Sequence, residues 1–317
     1  MKMQVEEVFF QSSNKVNKIC GSVITPIDIE IKGIIQVCHG MGEYFDKYKY
    51  FTKYFVEQGY IVCGYDQLGH GDSVDSEENR GYFAPKDGYK YLIEDVNIFN
   101  NLIRDRFKDL PLYLFAHSMG SFVSRCYAAK YGKNINGLIL CGTIGPQALT
   151  MPGIKLASFM ANTKGDHYRS KKLYNLALDF ANIKFFPPQT RFDWLCSDEE
   201  EVKKHVEDNK SGFVFTVSGF KDLFHLVNLC NSEKLIKTIP KDLPILFISG
   251  KDDPIGENGA GVRKAVKLHK AAGIKNIVCK LYPNARHELA NEKNKYEVYK
   301  DIFDWINGLN IEKTEEI

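Results

Sequence analysis

Three side chains far apart in this sequence could together move an acyl group. Ser118 lies in the run Leu112-Tyr113-Leu114-Phe115-Ala116-His117-Ser118-Met119-Gly120-Ser121-Phe122. The run is apolar and aromatic before the serine, and after it Phe122, Cys126 and Ala129 recur at spacings of four and seven, which predicts a helix with those residues on one face. A buried strand that turns at once into a helix holds its corner residue in a strained conformation and lifts that side chain clear of the sheet. Strand and helix pass so close there that the residues two before and two after the corner must be small. Ala116 and Gly120 meet that demand. The usual pattern has glycine at both places, so Ala116 adds one methyl at a crowded point. Taken alone, these residues also fit a serine that merely caps a helix.

A serine hydroxyl is a poor nucleophile until a base takes its proton. His287, in Pro283-Asn284-Ala285-Arg286-His287 after an apolar strand pattern, is placed to be that base. A carboxylate must then fix the histidine's tautomer and stabilise its cation, and Asp252 or Asp253 supplies it. Pro254 holds the backbone of Asp253 extended and so sets the direction of its side chain, which favours Asp253. A surface histidine and a plain turn would explain two of these features singly. Their joint occurrence at strand ends around an elbow serine points to a triad. The oxyanion of such a reaction needs backbone N–H donors. Met119 offers one at the start of a helix. The loop His39-Gly40-Met41-Gly42 offers Met41 as the other, its glycines leaving the backbone free to turn an amide inward.

The elements that must position these groups are legible as periodicity. Strand patterns cover Val5–Phe10, Lys18–Val23, Gly33–Val37, Tyr60–Tyr65, the elbow strand, Gly137–Cys141, Pro244–Ser249 and Ile277–Tyr282. Helical patterns cover Tyr48–Gln58, residues 88–106, residues 260–272 and residues 294–307. Their alternation predicts an α/β fold with a mostly parallel central sheet covered by helices on both faces. The alternation breaks between Gly145 and Ser232, where helical stretches near 153–162, 171–182, 197–208 and 219–230 occur without a strand pattern. The reading is a core of residues 1–144 and 233–317 with a helical cap (lid) insertion, 145–232, over the carboxyl edge of the sheet. Ile154, Leu156, Phe159 and Met160 form an apolar patch in that cap. Packing against the core, a wall for an acyl chain and a peripheral membrane contact are its three readings.

Together His39-Gly40-Met41-Gly42-Glu43, Asp66 with Gly69-His70-Gly71, the Ser118 elbow, Asp253-Pro254 and Arg286-His287-Glu288 resemble the monoglyceride lipase and lysophospholipase branch of the α/β-hydrolases. Ser, Asp and His also follow one another in the chain order of that fold. The likeness runs from about residue 20 to 307 and thins in the insertion, where Thr190-Arg191-Phe192-Asp193-Trp194-Leu195 looks like a segment of bacterial lysophospholipases. The resemblance implies an eight-stranded core with a helical cap, Ser118, Asp253 and His287 as the catalytic triad, and the Met41 and Met119 amides as the oxyanion hole. It implies an esterase acting on monoacylglycerol, lysophospholipid or similar acyl esters. Ala116 departs from the branch's usual glycine.

Composition excludes other classes. The 317 residues carry a net charge of +2 with no basic stripe, so nucleic acid is not a partner. The partner expected is a small-molecule acyl ester, bound by a monomer or weak dimer. The chemistry needs no cofactor, and no histidine or cysteine spacing suggests a metal. No signal-like segment opens the chain and no apolar run reaches membrane-spanning length, which with eight cysteines predicts a cytoplasmic protein with reduced thiols. Cys38, Cys63, Cys141 and Cys279 fall in strand patterns and are expected to be buried. Gly256-Glu257-Asn258-Gly259-Ala260-Gly261 lacks the features of a phosphate loop and reads as a glycine-rich helix entry. A serine aminopeptidase of the same fold would need a buried acid for a substrate ammonium, for which Glu199, Glu200 and Glu201 are candidates, although such a run is usually a solvated helix start. A non-catalytic binding protein on the same scaffold would have no need of the triad.

Overall fold

A sheet of eight strands carries the chain: β1 (Met3–Gln11), β2 (Lys18–Pro26), β3 (Gly33–Cys38), β4 (Tyr60–Tyr65), β5 (Leu112–His117), β6 (Gly137–Cys141), β7 (Ile245–Gly250) and β8 (Ile277–Tyr282). The computed structural model describes the backbone of residues 2–315 and the side chains of 2–178 and 180–309. The order is β1-β2-β4-β3-β5-β6-β7-β8, with β2 antiparallel to both neighbours and every other pair parallel. Every residue of β3 to β7 is buried, which explains why these strands read as continuous apolar runs: helices cover both faces.

Alternate residues feed two cores. Ile34, Leu114, Leu138 and Phe247 point to the face covered by α2 (Gly88–Arg106), α3 (Met119–Tyr131) and α9 (Ala260–Ala271). Ile35, Phe115, Ile139 and Ile248 point to the other face, against α1 (Lys49–Glu57) and α10 (Lys295–Glu315), through Phe51, Phe55, Tyr299 and Ile302. Helix α3 does not bury one stripe as its spacing predicted. It is buried all round from Met119 to Ala128, because it enters the sheet's centre and a second helical layer covers its back. Cys279 is exposed, against expectation, since β8 is an edge strand with one side open to solvent.

The stretch between β6 and β7 is helical, with no strand among the described residues: α4 (Thr150–Lys164), α5 (Lys171–Leu178), a 3₁₀ segment Asp179–Phe185, α6 (Glu199–Glu207), α7 (Val217–Cys230) and α8 (Glu233–Ile236). α7 is built into the core beside α2 and α3, with Phe220 and Leu226 fully buried. α4 lies on α7 through Gly153, where a Cβ would meet the Phe224 ring at 2.8 Å, and through the fully buried Ala157. Leu156 and Phe159 are therefore not core packing. The small residues hold the contact, while these two face outward at 37% and 65% exposure. Two of the bonds that tie the segment to loops at the carboxyl edge of the sheet lie beside the His39 loop. Gly212 N–H donates to the Gly42 carbonyl at 2.9 Å, and Lys210 Nζ reaches Asp72 Oδ1 at 2.6 Å.

Candidate active site

Ser118 turns β5 into α3 with φ 49° and ψ −121°, a positive φ that a residue with a Cβ adopts only under constraint. Packing supplies the constraint. A Cβ at Gly120 would sit 2.2 Å from the Cys38 carbonyl oxygen and 2.5 Å from that of His39, so only glycine lets α3 pass the end of β3. The Ser118 N–H is anchored on the Cys141 carbonyl at 2.9 Å. Ala116 is fully buried and lies level with Cys38 and Leu140 on the neighbouring strands.

From that corner the three predicted side chains form a hydrogen-bonded line. Ser118 Oγ lies 2.8 Å from His287 Nε2, and His287 Nδ1 lies 2.9 Å from Asp253 Oδ1. His287 leaves the end of β8 and Asp253 the end of β7, which are adjacent and parallel. Asp253 is fully buried, accepts the Ile255 N–H at 2.9 Å on Oδ1 and the Ser249 hydroxyl at 2.9 Å on Oδ2. Burial alone would raise its pKa. The His287 charge and hydrogen bond, helped by Ser249, outweigh burial and hold the carboxyl below its ordinary range. Asp252 is not in this line; its carboxylate pairs with Lys184 at the surface.

Met119 opens α3, where the first amides have no intrahelical acceptor. The Met41 amide has no acceptor among the described residues, and its loop packs directly on the elbow: a Cβ at Gly40 would lie 3.0 Å from Ser118 Cβ. Both methionines and the serine line one cavity of about 620 Å³. Most of the remaining wall is hydrocarbon, from Phe122, Ile144, Leu223, Phe224 and Val227 on one part and Tyr174, Leu178, Phe180 and Trp194 on another. Glu199, Glu200 and Glu201 do not reach it. They form the first turn of α6, capped by Asp198 accepting the Glu200 N–H at 3.2 Å.

Two groups at the centre had no role assigned from sequence. Glu43 is 3% exposed, and its Oε1 accepts from Gly40 N–H, from Tyr48 Oη at 2.8 Å and from His117 Nδ1 at 2.8 Å. His117 Nε2 faces the His287 carbonyl oxygen at 3.3 Å, so both ring nitrogens meet acceptors and the imidazolium form suits the site. Burial works against each charge. It would lower His117 and raise Glu43, but their mutual attraction and hydrogen bond prevail, leaving His117 raised and Glu43 well lowered. In the sequence His117 was marked only by adjacency to Ser118, and Glu43 only as the end of the His39 loop that carries the family resemblance. Burial also lowers the pKa of His39, whose Nδ1 donates to the Gly40 carbonyl at 2.8 Å while Nε2 accepts the Gln67 N–H at 2.9 Å, bracing the loop from behind.

The His287 loop is fastened to the helical segment. Arg286 Nη1 donates to the carbonyls of Asp193 and Cys196, its guanidinium sits 4.1 Å from the Phe185 ring centre, and the Trp194 and His287 rings lie 5.1 Å apart. Glu292 accepts the Arg286 N–H at 2.6 Å and the Ser197 N–H at 3.0 Å. Sequence spacing could not show that 193–197 sits beside the histidine.

Comparison with known proteins agrees with this architecture. The family model described as "Serine aminopeptidase, S33" matches residues 29–294. A probable lysophospholipase L2 of Haemophilus influenzae is 25% identical over 287 residues, covering 87% of this chain and 84% of that protein. The human monoglyceride lipase is 24% identical over 277 residues, covering 87% of this chain and 81% of that protein. A thermostable carboxyl esterase from Bacillus coagulans, solved with glycerol, superposes with a TM-score of 0.90 at 29% identity, over 97% of this chain and 99% of that one. The chain thus belongs to the serine aminopeptidase S33 family of α/β-hydrolases, in the branch that includes monoglyceride lipases and lysophospholipases.

Proposed function

We propose that this protein is a serine hydrolase of carboxylic esters that works through an acyl-enzyme on Ser118. The observation that carries the reading is the Ser118–His287–Asp253 line, with contacts of 2.8 and 2.9 Å, opening into a largely apolar cavity. His287 Nε2 takes the Ser118 proton as Oγ adds to the ester carbonyl, and Asp253 stabilises the imidazolium that results. The amides of Met41 and Met119 hold the oxyanion, a contribution of about 3–4 kcal/mol per donor in comparable sites. Collapse of the tetrahedral species expels the alcohol, protonated by His287, and the same histidine then activates water to free the acid. This route needs no group beyond the chain's own residues.

Substrates with one acyl chain, of monoacylglycerol or lysophospholipid type, fit the hydrocarbon walls and agree with the names of the relatives. Residues 145–232 serve in this reading as the cap that closes the acyl site. Their outer surface supports a peripheral contact with a lipid surface: Leu149, Met151, Phe159, Ile183 and Phe186 are all exposed, and Leu149 also lines the cavity. No helix among the described residues is long and apolar enough to cross a membrane.

A fluorophosphonate probe is expected to label the wild type covalently and Ser118→Ala not at all, with ester hydrolysis lost in parallel. Equal labelling of the two proteins would refute the assignment.

A further inference from the structure

Arg125 is fully buried, and no larger side chain is hidden to that degree among the described residues. It stands on α3, about two turns beyond Ser118. All its partners are uncharged. Nη1 donates to the Ile144 carbonyl at 2.9 Å and reaches the Thr143 hydroxyl at 3.4 Å. Nη2 donates to the Cys230 carbonyl at 2.7 Å and to Asn231 Oδ1 at 2.9 Å. Nε has no acceptor among the described residues. His269 on α9 offers no counter-charge, because burial, and after it the Arg125 charge, push its pKa down to about 3. The guanidinium is therefore steadied by the carbonyl end of α7, where a helix's last carbonyls carry partial negative charge.

The partners fall on two stretches of chain. Thr143 and Ile144 follow β6, where the helical segment begins, and Cys230 and Asn231 end α7. One guanidinium thus grips both ends of that segment and fastens them to the helix that starts at the nucleophile. A buried arginine with no acid beside it and one N–H unpaired is a poor source of stability, and an apolar side chain of similar volume would fill the space as well. What the planar fork supplies is position, since the single ammonium of a lysine could not span both stretches. The three stretches it joins also build the apolar wall of the cavity: Phe122 one turn earlier on α3, Ile144 after β6, and Leu223, Phe224 and Val227 on α7. Asn231 passes the grip on, its Nδ2 donating to the Val227 carbonyl at 2.9 Å. The nucleophile itself is fixed separately, by the close pass of Gly120 and by the Ser118 N–H on Cys141.

We infer that Arg125 is a positioning residue for this wall: by clamping both ends of the helical segment onto α3 it sets how far Ile144 and Val227 stand from Ser118, and so which acyl chains reach turnover. The inference rests on the ester-hydrolase reading and adds a residue that touches neither the substrate nor the triad. Loosening the clamp leaves the Ile144 and Cys230 carbonyls and Asn231 Oδ1 without their donor and lets the end of α7 shift against α3. A short acyl group, held close to Ser118, loses little. A long one loses contact along the displaced wall.

The test compares p-nitrophenyl butyrate with p-nitrophenyl octanoate, which share a leaving group, on the wild type, Arg125→Met and Asn231→Ala. In Arg125→Met the ratio of kcat/KM for octanoate to that for butyrate should fall roughly tenfold, the worth of about two methylenes seated on hydrocarbon. The fall should lie mainly in the octanoate KM, with kcat and the rate of labelling by a small fluorophosphonate within about threefold of wild type. Asn231→Ala keeps the arginine and removes one acceptor together with the tie to Val227, so its ratio should fall in the same direction by roughly threefold, and it decides the matter if Arg125→Met does not fold. A loss shared equally by the two esters in whichever variant is read, or a ratio within about 1.5-fold of wild type, marks Arg125 as a structural residue only and overturns the inference. A wild type that cleaves butyrate but gains nothing from the longer chain overturns it too, and leaves the ester-hydrolase reading standing. One that cleaves neither ester sinks both.

Discussion

Replacing Glu43 by glutamine tests how the nucleophile and the oxyanion loop are held in register. One oxygen of Glu43 accepts from Gly40, Tyr48 and His117, and thereby ties the Met41 loop to the residue before Ser118. Glutamine keeps an acceptor and the shape but removes the charge. Hydrogen bonds to a charged group contribute about 1.5–3 kcal/mol net against about 0.5–1.5 for neutral ones. Three bonds each weakened by about 1 kcal/mol give a loss of about 3 kcal/mol, at the low end of what breaking a buried pair costs. Glu43 is held below its ordinary 4.5, so its contribution is present above about pH 4.5 and is lost as pH falls from there. His117 is held above its ordinary 6.5, so its contribution is complete below that pH and is lost as pH rises through the folded-state value. The stability gap between wild type and Glu43→Gln should therefore be widest near about pH 5.5 and narrow at about pH 4 and pH 9. Urea unfolding at the three pH values measures it. Turnover should fall roughly 10- to 100-fold with KM changed little, because a displacement on the order of 1 Å at the elbow costs that much. A gap that is flat across the three pH values would refute the ionised Glu43–His117 pair.

Asp253→Asn should lower kcat by roughly 10³- to 10⁴-fold, since asparagine cannot stabilise the imidazolium and favours the wrong tautomer, while Asp252→Asn, which breaks only an exposed pair with Lys184, should leave turnover within about twofold. Steady-state kinetics on one ester separates the two, and the reverse pattern would move the assignment to Asp252. Gly120→Ala should abolish soluble folded protein, as its Cβ would meet two backbone carbonyl oxygens within 2.5 Å, whereas Ala116→Gly should stay folded and active at a cost of about 1 kcal/mol. Circular dichroism and probe labelling read both, and an inactive Ala116→Gly would mean that the methyl helps set the corner.

Much of the architecture was written in local pattern. Continuous apolar runs marked β3 to β7 because a strand covered on both faces has no polar side to show, and α2 emerged over 88–106 from its 3–4 rhythm. Ser118, Asp253 and His287 were legible because each sits at a strand end, and adjacent parallel strands bring such ends together. What escaped the sequence depended on contacts between distant segments. Cys279 is exposed because β8 is the edge, and sheet order is a property of the whole chain. Leu156 and Phe159 face outward because Gly153 and Ala157 let α4 approach α7, a choice that helical spacing leaves undecided. Glu43 and His117 had no role that local pattern could assign, and their meaning comes from burial: a carboxylate removed from water must find donors, and only the folded chain determines which are within reach. The sequence by itself determined the fold class and the three side chains in line. Tertiary structure decided the buried Glu43–His117 pair that braces them, because the donors around a desolvated carboxylate come from distant segments, which no local pattern records.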